Sequence, residues 1–289
     1  MKGIVLSGGT GSRLHPLTKV VSKQLLPIFD KPMIYYSLSV LLLAKIKDIA
    51  IITTEEDKEK YFELLGDGSK LGININYFVQ KVPKGIPDAF ILCKEFIKNS
   101  KVMLVLGDNI FYSHGLTSLI LKSQKNSGAT IFSYEVVNPN DFGIVEIDGN
   151  NNVLSIEEKP KKPKSNLAIT GLYIFDKDVS YLAENLKPSR RNEIEVVDLL
   201  FKYFRKKKLN HQLLPRGFCW LDTGTPSSLI EAGKFIEIIE KRQGLKIGCL
   251  EEIAIRKGFI NKIQLLNILS TYPICDYKKY LEKVYNDYE

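Results

Sequence analysis

Hydrophobic positions follow two rhythms through the first half of the chain. Short apolar runs of strand length fill residues 3–6, 48–53, 73–79 and 101–106, the pattern of strands buried on both faces. Between them, residues 33–45, 55–65 and 87–98 repeat their apolar side chains at helical spacing. Pro32 stands where the first of these helices would begin. Strands alternating with helices predict an α/β fold around a doubly wound, mostly parallel mixed sheet, Rossmann-like in layout. Ligands in such sheets gather at the carboxyl ends of the strands. The loops after Leu6 and Leu106 are therefore the place to look for chemistry.

The second half changes character. Residues 129–137, 143–147, 153–157 and 167–175 read as strands divided by Asn, Gly and Pro turns. These added strands are expected to extend the sheet and cover one side of the pocket. Residues 195–208 predict a helix and 209–214 a short strand, and from Thr225 onward the pattern is mainly helical. Tyr277, Tyr280, Leu281, Val284 and Tyr285 form an apolar stripe suited to the core or to a neighbouring subunit. No internal repeat or clear linker divides the chain, so one domain over 1–289 is expected, with a helical C-terminal segment at 225–289.

The first strand breaks into Gly8-Gly9-Thr10-Gly11-Ser12, followed by Arg13 and, further on, Lys23. Glycines let a backbone turn tightly and approach a ligand, and bared N–H groups in such a bend suit phosphate oxygens. Arg13 adds a fixed fork of donors and Lys23 a mobile ammonium. The P-loop is excluded because no lysine follows at its spacing. The dinucleotide fingerprint is excluded because Leu14 stands where its third glycine belongs. On glycine content alone, a plain connecting turn explains the stretch equally well. Asp108 follows the strand ending at Leu106, and Asp222 follows Phe218-Cys219-Trp220-Leu221. Two carboxylates from separate strands suit a hard cation that is also held by substrate phosphate. Singly, each is an ordinary turn former or cap. Glu157-Glu158-Lys159-Pro160 reads, on its own, as a charged turn stopped by proline.

Composition narrows the classes. Hydrophobic residues make up 44% of the 289 positions, and the longest apolar stretch is too short and too interrupted to span a bilayer. The opening strand leaves no room for a signal peptide, so a cytoplasmic location and no membrane partner are expected. The four cysteines, Cys93, Cys219, Cys249 and Cys275, share no metal spacing and predict free, mostly buried thiols. The net charge of +8 is spread along the chain without interleaved aromatics, which argues against nucleic acid. His15, His114 and His211 are isolated and read as structural. No Ser/His/Asp or Cys/His set offers a covalent nucleophile.

The wider pattern decides between the plain and the chemical readings. Gly8-Gly9-Thr10-Gly11-Ser12-Arg13-Leu14-His15-Pro16-Leu17-Thr18, Ser22-Lys23-Gln24-Leu25-Leu26-Pro27 and Lys31-Pro32-Met33-Ile34-Tyr35-Tyr36 resemble the start of the sugar nucleotidyltransferases. The likeness runs to about residue 259 and is strongest to members that move a thymidylyl group from dTTP to glucose 1-phosphate. It implies dTDP-glucose and pyrophosphate as products, Mg2+ as cofactor, a homotetramer, and a place in deoxysugar supply such as dTDP-rhamnose. It divides the chain into a nucleotide-binding half, 1–128, and a sugar-phosphate-binding half, 129–224.

The resemblance also implies roles. Arg13, Lys23 and Lys159 become the catalytic cations, and Asp108 and Asp222 the metal ligands. Leu6, Gly8, Gly9, Thr10, Gly11, Ser12, Arg13, Lys23, Gln24 and Asp108 hold the nucleotide. Gln80 and Gly85 read the pyrimidine edge. Asn109, Gly143, Glu158, Lys159, Ile169 and Tyr173 hold the sugar phosphate, with Trp220 helping to wall the pocket. The chain departs from the pattern at Ile86-Pro87-Asp88, where the family usually has Leu-Ala-x, and again at Asn192 and Val197.

Overall fold

The computed structural model describes residues 1–9, 11–189 and 192–288. Its first half holds strands β1 (Lys2–Leu6), β2 (Pro27–Ile28), β3 (Lys31–Pro32), β4 (Asp48–Thr53), β5 (Asn74–Val79), β6 (Val102–Leu106) and β7 (Asn109–Tyr112). Helices α1 (Ile34–Leu43), α2 (Lys58–Leu65), α3 (Asp88–Leu92), α4 (Lys94–Ile97) and α5 (Leu116–Ser123) lie between them. The main sheet runs β5-β4-β1-β6 in parallel, with Gly3 paired to both Ile49 and Met103. Alternate side chains feed opposite faces. Val5, Ile49, Ile51 and Met103 pack beneath α1, whereas Ile4, Ala50, Ile52 and Leu104 meet Phe90 and Ile97 from α3 and α4. Helices thus cover both faces, as the alternation predicts.

Two differences stand out. The single helix expected at 87–98 is two pieces, tightened at Cys93, whose N–H is shared between the carbonyls of Ala89 and Ile91. β7 follows β6 almost at once and pairs with a strand from the far end of the sheet region. So short a strand leaves no periodicity to read.

The second half supplies β8 (Ala129–Glu135), β9 (Gly143–Ile147), β10 (Val153–Glu158), β11 (Leu167–Phe175), α6 (Val179–Glu184), α7 (Val196–Arg205), β12 (Leu209–Leu213) and β13 (Cys219–Asp222). β11 joins the halves. Its end, Leu172–Phe175, runs antiparallel to β6, while Ala168 meets Ile144 of β9 and its other edge takes β8. The added strands therefore do extend the sheet, but antiparallel beyond β6, with β12 parallel to β8 at the far edge. Antiparallel addition lets a short hairpin, β9–β10, reach the rim without a crossover helix.

The chain closes with α8 (Pro226–Gln243), α9 (Leu250–Arg256), α10 (Lys262–Thr271) and α11 (Asp276–Asp287). Thr225 and Ser228 cap α8 reciprocally. In the stripe on α11, Leu281 and Val284 are buried and Tyr277, Tyr280 and Tyr285 half-buried against the core shared with α1, α9 and α10. The stripe is therefore occupied by the chain's own core. Cys93 and Cys249 are buried free thiols, but Cys219 is half-buried and Cys275 exposed. The expectation of mostly buried thiols fails for these two, because each sits at the start of a surface element. Among the described residues, no helix is long and apolar enough to cross a membrane.

Candidate active site

The carboxyl ends of β1, β4 and β6 are stitched side by side: Ser7 N donates to Ile52 O at 2.8 Å, and Gly107 N to Leu6 O at 2.9 Å. From that rim the chain bends through Gly8, Gly9 and Gly11. Gly11 has φ 61°, and a β-carbon there would stand 2.7 Å from Thr18 Cγ2, so only glycine serves. Thr10 lies outside the described residues. The bend passes into a short 3-10 turn, Ser12–Leu14, that buries Leu14 and sends Arg13 over the cavity. A second such turn, Lys23–Leu25, delivers Lys23 and Gln24, both buried. Gln24 Oε1 is buried without a hydrogen-bond partner among the described residues, and Gln24 lines the same small cavity as Gly9, Gly11 and Ser12. A buried acceptor left unpaired costs free energy until something donates to it. Leu6 stays behind the bend, half-buried and packed against the core cluster that holds Phe90 of α3.

Asp108 and Asp222, far apart in sequence, meet through the ribbon of β7 and β13. The register pairs Asp222 with Asn109. Thr223 ties the ends, donating to Asp108 O from its N–H at 3.2 Å and its hydroxyl at 2.8 Å. Ser37 on α1 donates to both Leu106 O and Asn109 O, clamping the turn between β6 and β7 from below. Lys23 Nζ donates to Asp108 Oδ2 at 2.6 Å. The carboxyl of Asp222 is pushed above the usual range by burial and then by the charge of Asp108. Lys23, Arg13 and Lys159 pull it back only in part. All five charged groups therefore share one field.

Asn109, expected on the sugar, proves to be the knot of the ribbon. Its Oδ1 accepts from Trp220 Nε1 at 2.6 Å and Gly171 N at 3.0 Å, and its Nδ2 donates to Asp108 Oδ1 at 2.9 Å. Its side chain lies at the cavity wall with its polar atoms engaged.

Opposite the glycine bend, β10 ends at Glu158, paired with Gly143 of β9. A β-carbon on Gly143 would stand 3.3 Å from Glu158 Oε2 and 3.8 Å from Ile169 Cδ1, so these three are mutual neighbours. Lys159 then turns left-handed, with φ 44°, while its N–H donates to Phe142 O at 3.0 Å. That conformation costs about 1–3 kcal/mol for a residue with a β-carbon and is found where a side chain must be aimed. Tyr173 is buried beside Glu158, its hydroxyl pushed strongly upward by burial and then by that carboxylate. The resulting cleft, about 310 Å3, is walled by Arg13, Asp108, Asp222, Lys159, Glu158 and Tyr173 among others.

Gln80 caps the end of β5, with its N–H on Thr53 O at 2.8 Å. Gly85 lies further round, and only Ile86 of that loop reaches the cleft wall. Gly224 was missed in the sequence: a β-carbon there would press on the Arg13 guanidinium at 3.1 Å. Its signal is present in Trp220-Leu221-Asp222-Thr223-Gly224-Thr225, a glycine two residues after the acid. Ser37 left no signal, being one serine in an apolar helix.

A glycine bend, a facing acid pair and three cations at the carboxyl rim of an α/β sheet define a class, and comparison with known proteins gives the same one. The nucleotidyl transferase family model matches residues 2–238, and the chain belongs to that family. Its relatives carry a more particular name. It is 51% identical to the glucose-1-phosphate thymidylyltransferase of Neisseria meningitidis, over 97% of this chain and 98% of that protein. It is 46% identical to that of Mycobacterium tuberculosis, over 97% and 98%. Among solved structures, a putative glucose-1-phosphate thymidylyltransferase from Bacillus anthracis, in complex with a sucrose, is 39% identical, with a TM-score of 0.74 over 81% of this chain and 94% of that one. UDP-glucose pyrophosphorylase complexed with UDP-glucose, at 24% identity and a TM-score of 0.73 over 83% of this chain and 99% of that one, shares the fold.

Proposed function

We propose that the chain transfers a thymidylyl group from dTTP to glucose 1-phosphate, giving dTDP-glucose and pyrophosphate. The observation that carries this reading is the convergence of Arg13, Asp108, Asp222 and Lys159 on one cleft, with Lys23 bonded to Asp108, in a chain whose relatives bear that activity as their name. The attacking oxygen belongs to an already anionic sugar phosphate, so no strong general base is needed. Catalysis then rests on alignment and on charge neutralisation. The glycine bend and Arg13 hold the β and γ phosphates, Lys23 meets the α phosphate, and Lys159 brings in the sugar phosphate. Glu158, beside Gly143 and Ile169, receives the sugar hydroxyls.

Two carboxylates lining one cleft, one resisting ionisation through burial and then through the charge of the other, form a donor set that suits a hard divalent cation. Asp108 and Asp222 would hold Mg2+, which when bound supplies charge neutralisation to phosphate oxygens. The same reading includes assembly as a homotetramer and a cytoplasmic location.

A pyrophosphate-release assay with dTTP and glucose 1-phosphate tests the proposal, and light scattering tests the assembly. Arg13→Ala should lower kcat by about 100-fold or more with the fold retained by circular dichroism. Turnover near that of wild type in this variant would reject the assigned role.

A further inference from the structure

Asp88 sits where the sequence leaves its family pattern, and in the fold it has a specific partner. Gln80 is 6% exposed, and its Nε2 donates to Asp88 Oδ2 at 2.7 Å. An ionised carboxylate can only accept, so this contact decides which end of the amide is which. The NH2 group is committed to Asp88, leaving Oε1 on the opposite side. That oxygen lies against Gly8 of the glycine bend: a β-carbon there would stand 2.7 Å from it. Asp88 is itself held in place. It opens α3 directly after Pro87, whose φ of −61° presets the helical turn. Upstream, Gly85 at φ 101° lies so close to the Ile194 carbonyl that a β-carbon would come within 2.1 Å of its oxygen. Ile194 N in turn donates to Lys84 O at 2.7 Å. The loop between is clamped at both ends, so Asp88 does not drift from Gln80.

We propose that Asp88 is a positioning residue for base selection, holding Gln80 with its carbonyl oxygen presented to the nucleotide. A site built this way takes a base that carries an N3–H donor, as thymine and uracil do. Cytosine offers a lone pair at N3 and meets the Gln80 oxygen as acceptor against acceptor. An untethered glutamine could turn over and donate to cytosine instead; here turning over breaks a hydrogen bond to a carboxylate. The inference rests on the nucleotidyl-transfer reading of the cleft and names the base selection of that same site.

The test compares wild type, Asp88→Ala and Asp88→Asn with dTTP, dUTP and dCTP. It measures kcat/KM for pyrophosphate release and, independently of turnover, dissociation constants by calorimetry. In Asp88→Ala the preference for dTTP over dCTP should fall by about tenfold or more, the size expected for losing a charge-assisted hydrogen bond. Asp88→Asn can donate as well as accept, so it no longer fixes which end of the Gln80 amide turns away and should lose part of the same preference. dUTP should follow dTTP in every variant, since both bases carry the N3–H. An unchanged dTTP-to-dCTP ratio in Asp88→Ala, by turnover and by binding, would overturn the role. So would an equal loss for all three nucleotides with a lowered melting temperature, which marks a merely structural contact. Absence of turnover by wild type with every nucleotide, beside a base preference in binding that Asp88→Ala erases, would instead sink the transferase reading and leave Asp88 in its role.

Discussion

Asp222 is the residue at which function and stability pull apart. It is half-buried beside a second carboxylate, and its carboxyl resists ionisation for both reasons. In the metal-free protein a neutral side chain of the same shape relieves desolvation and repulsion together. Asp222→Asn should therefore raise the melting temperature without added Mg2+, by roughly 2–4 °C for each kcal/mol relieved, while turnover is lost. A lower melting temperature in that variant would mean that the attraction of Lys23, Arg13 and Lys159 outweighs the repulsion. Gly224 makes the opposite case, a residue that holds nothing and leaves room. Gly224→Ala should shift the guanidinium of Arg13 by a few tenths of an ångström and reduce kcat by about tenfold, with melting unchanged. At this scale the sequence shows which residue types carry charge, because side-chain chemistry is local. It does not show Gly224 under Arg13 or Asp88 on Gln80, since those contacts exist only after distant turns meet.

Single elements place the acids. The β7–β13 ribbon is too short to stand alone, and the Asn109 side chain ties its two strands together through Trp220 and holds it against β11 through Gly171. Asn109→Ala leaves two buried N–H groups unpaired and should cost about 2–4 kcal/mol, read by urea unfolding. It should also loosen the Asp108–Asp222 pair. At the far edge of the sheet, His211 on β12 is held neutral by burial, its pKa pushed down to about 4 from 6.5. Its Nδ1 is buried without a partner among the described residues, and its Nε2 lies 2.7 Å from Ser133 Oγ. The unfolded chain takes up the proton first as pH falls. The contribution of this group to stability is therefore full above pH 6.5 and declines as pH drops from 6.5 through 4. Thermal unfolding of His211→Gln should consequently lose less between pH 7 and 4.5 than wild type does. Parallel strands and amphipathic helices were legible as elements because their burial repeats at fixed spacing. β7 and the break at Cys93 were not, because each is decided by what packs against it.

Over the whole molecule, a buried cluster ties the helical segment to the loop region. Lys31 on β3 donates to Glu240 of α8 at 3.0 Å and to Asp30. Lys246 bonds the same two acids. Both ammonium groups lie over the Tyr277 ring of α11, at 5.9 and 5.6 Å. Lys31 is 3% exposed, so removing it leaves a buried carboxylate short of a partner. Lys31→Met should cost roughly 3–5 kcal/mol and speed hydrogen exchange across residues 226–288. Adding Glu240→Leu should recover part of the loss, because the buried carboxylate that has lost one of its two ammonium partners goes with it.

By itself the sequence determined the alternation of strands and helices, the glycine bend with its cations, and the two acids at strand ends. Each of these is written in neighbouring residues, through periodic burial or the backbone freedom of glycine. Only the tertiary structure decided that Asp108 and Asp222 face each other, that β11 turns the sheet antiparallel, and that the tyrosines of α11 pack on the chain's own core. Those outcomes depend on which distant segments bury one another, and no local pattern carries that choice.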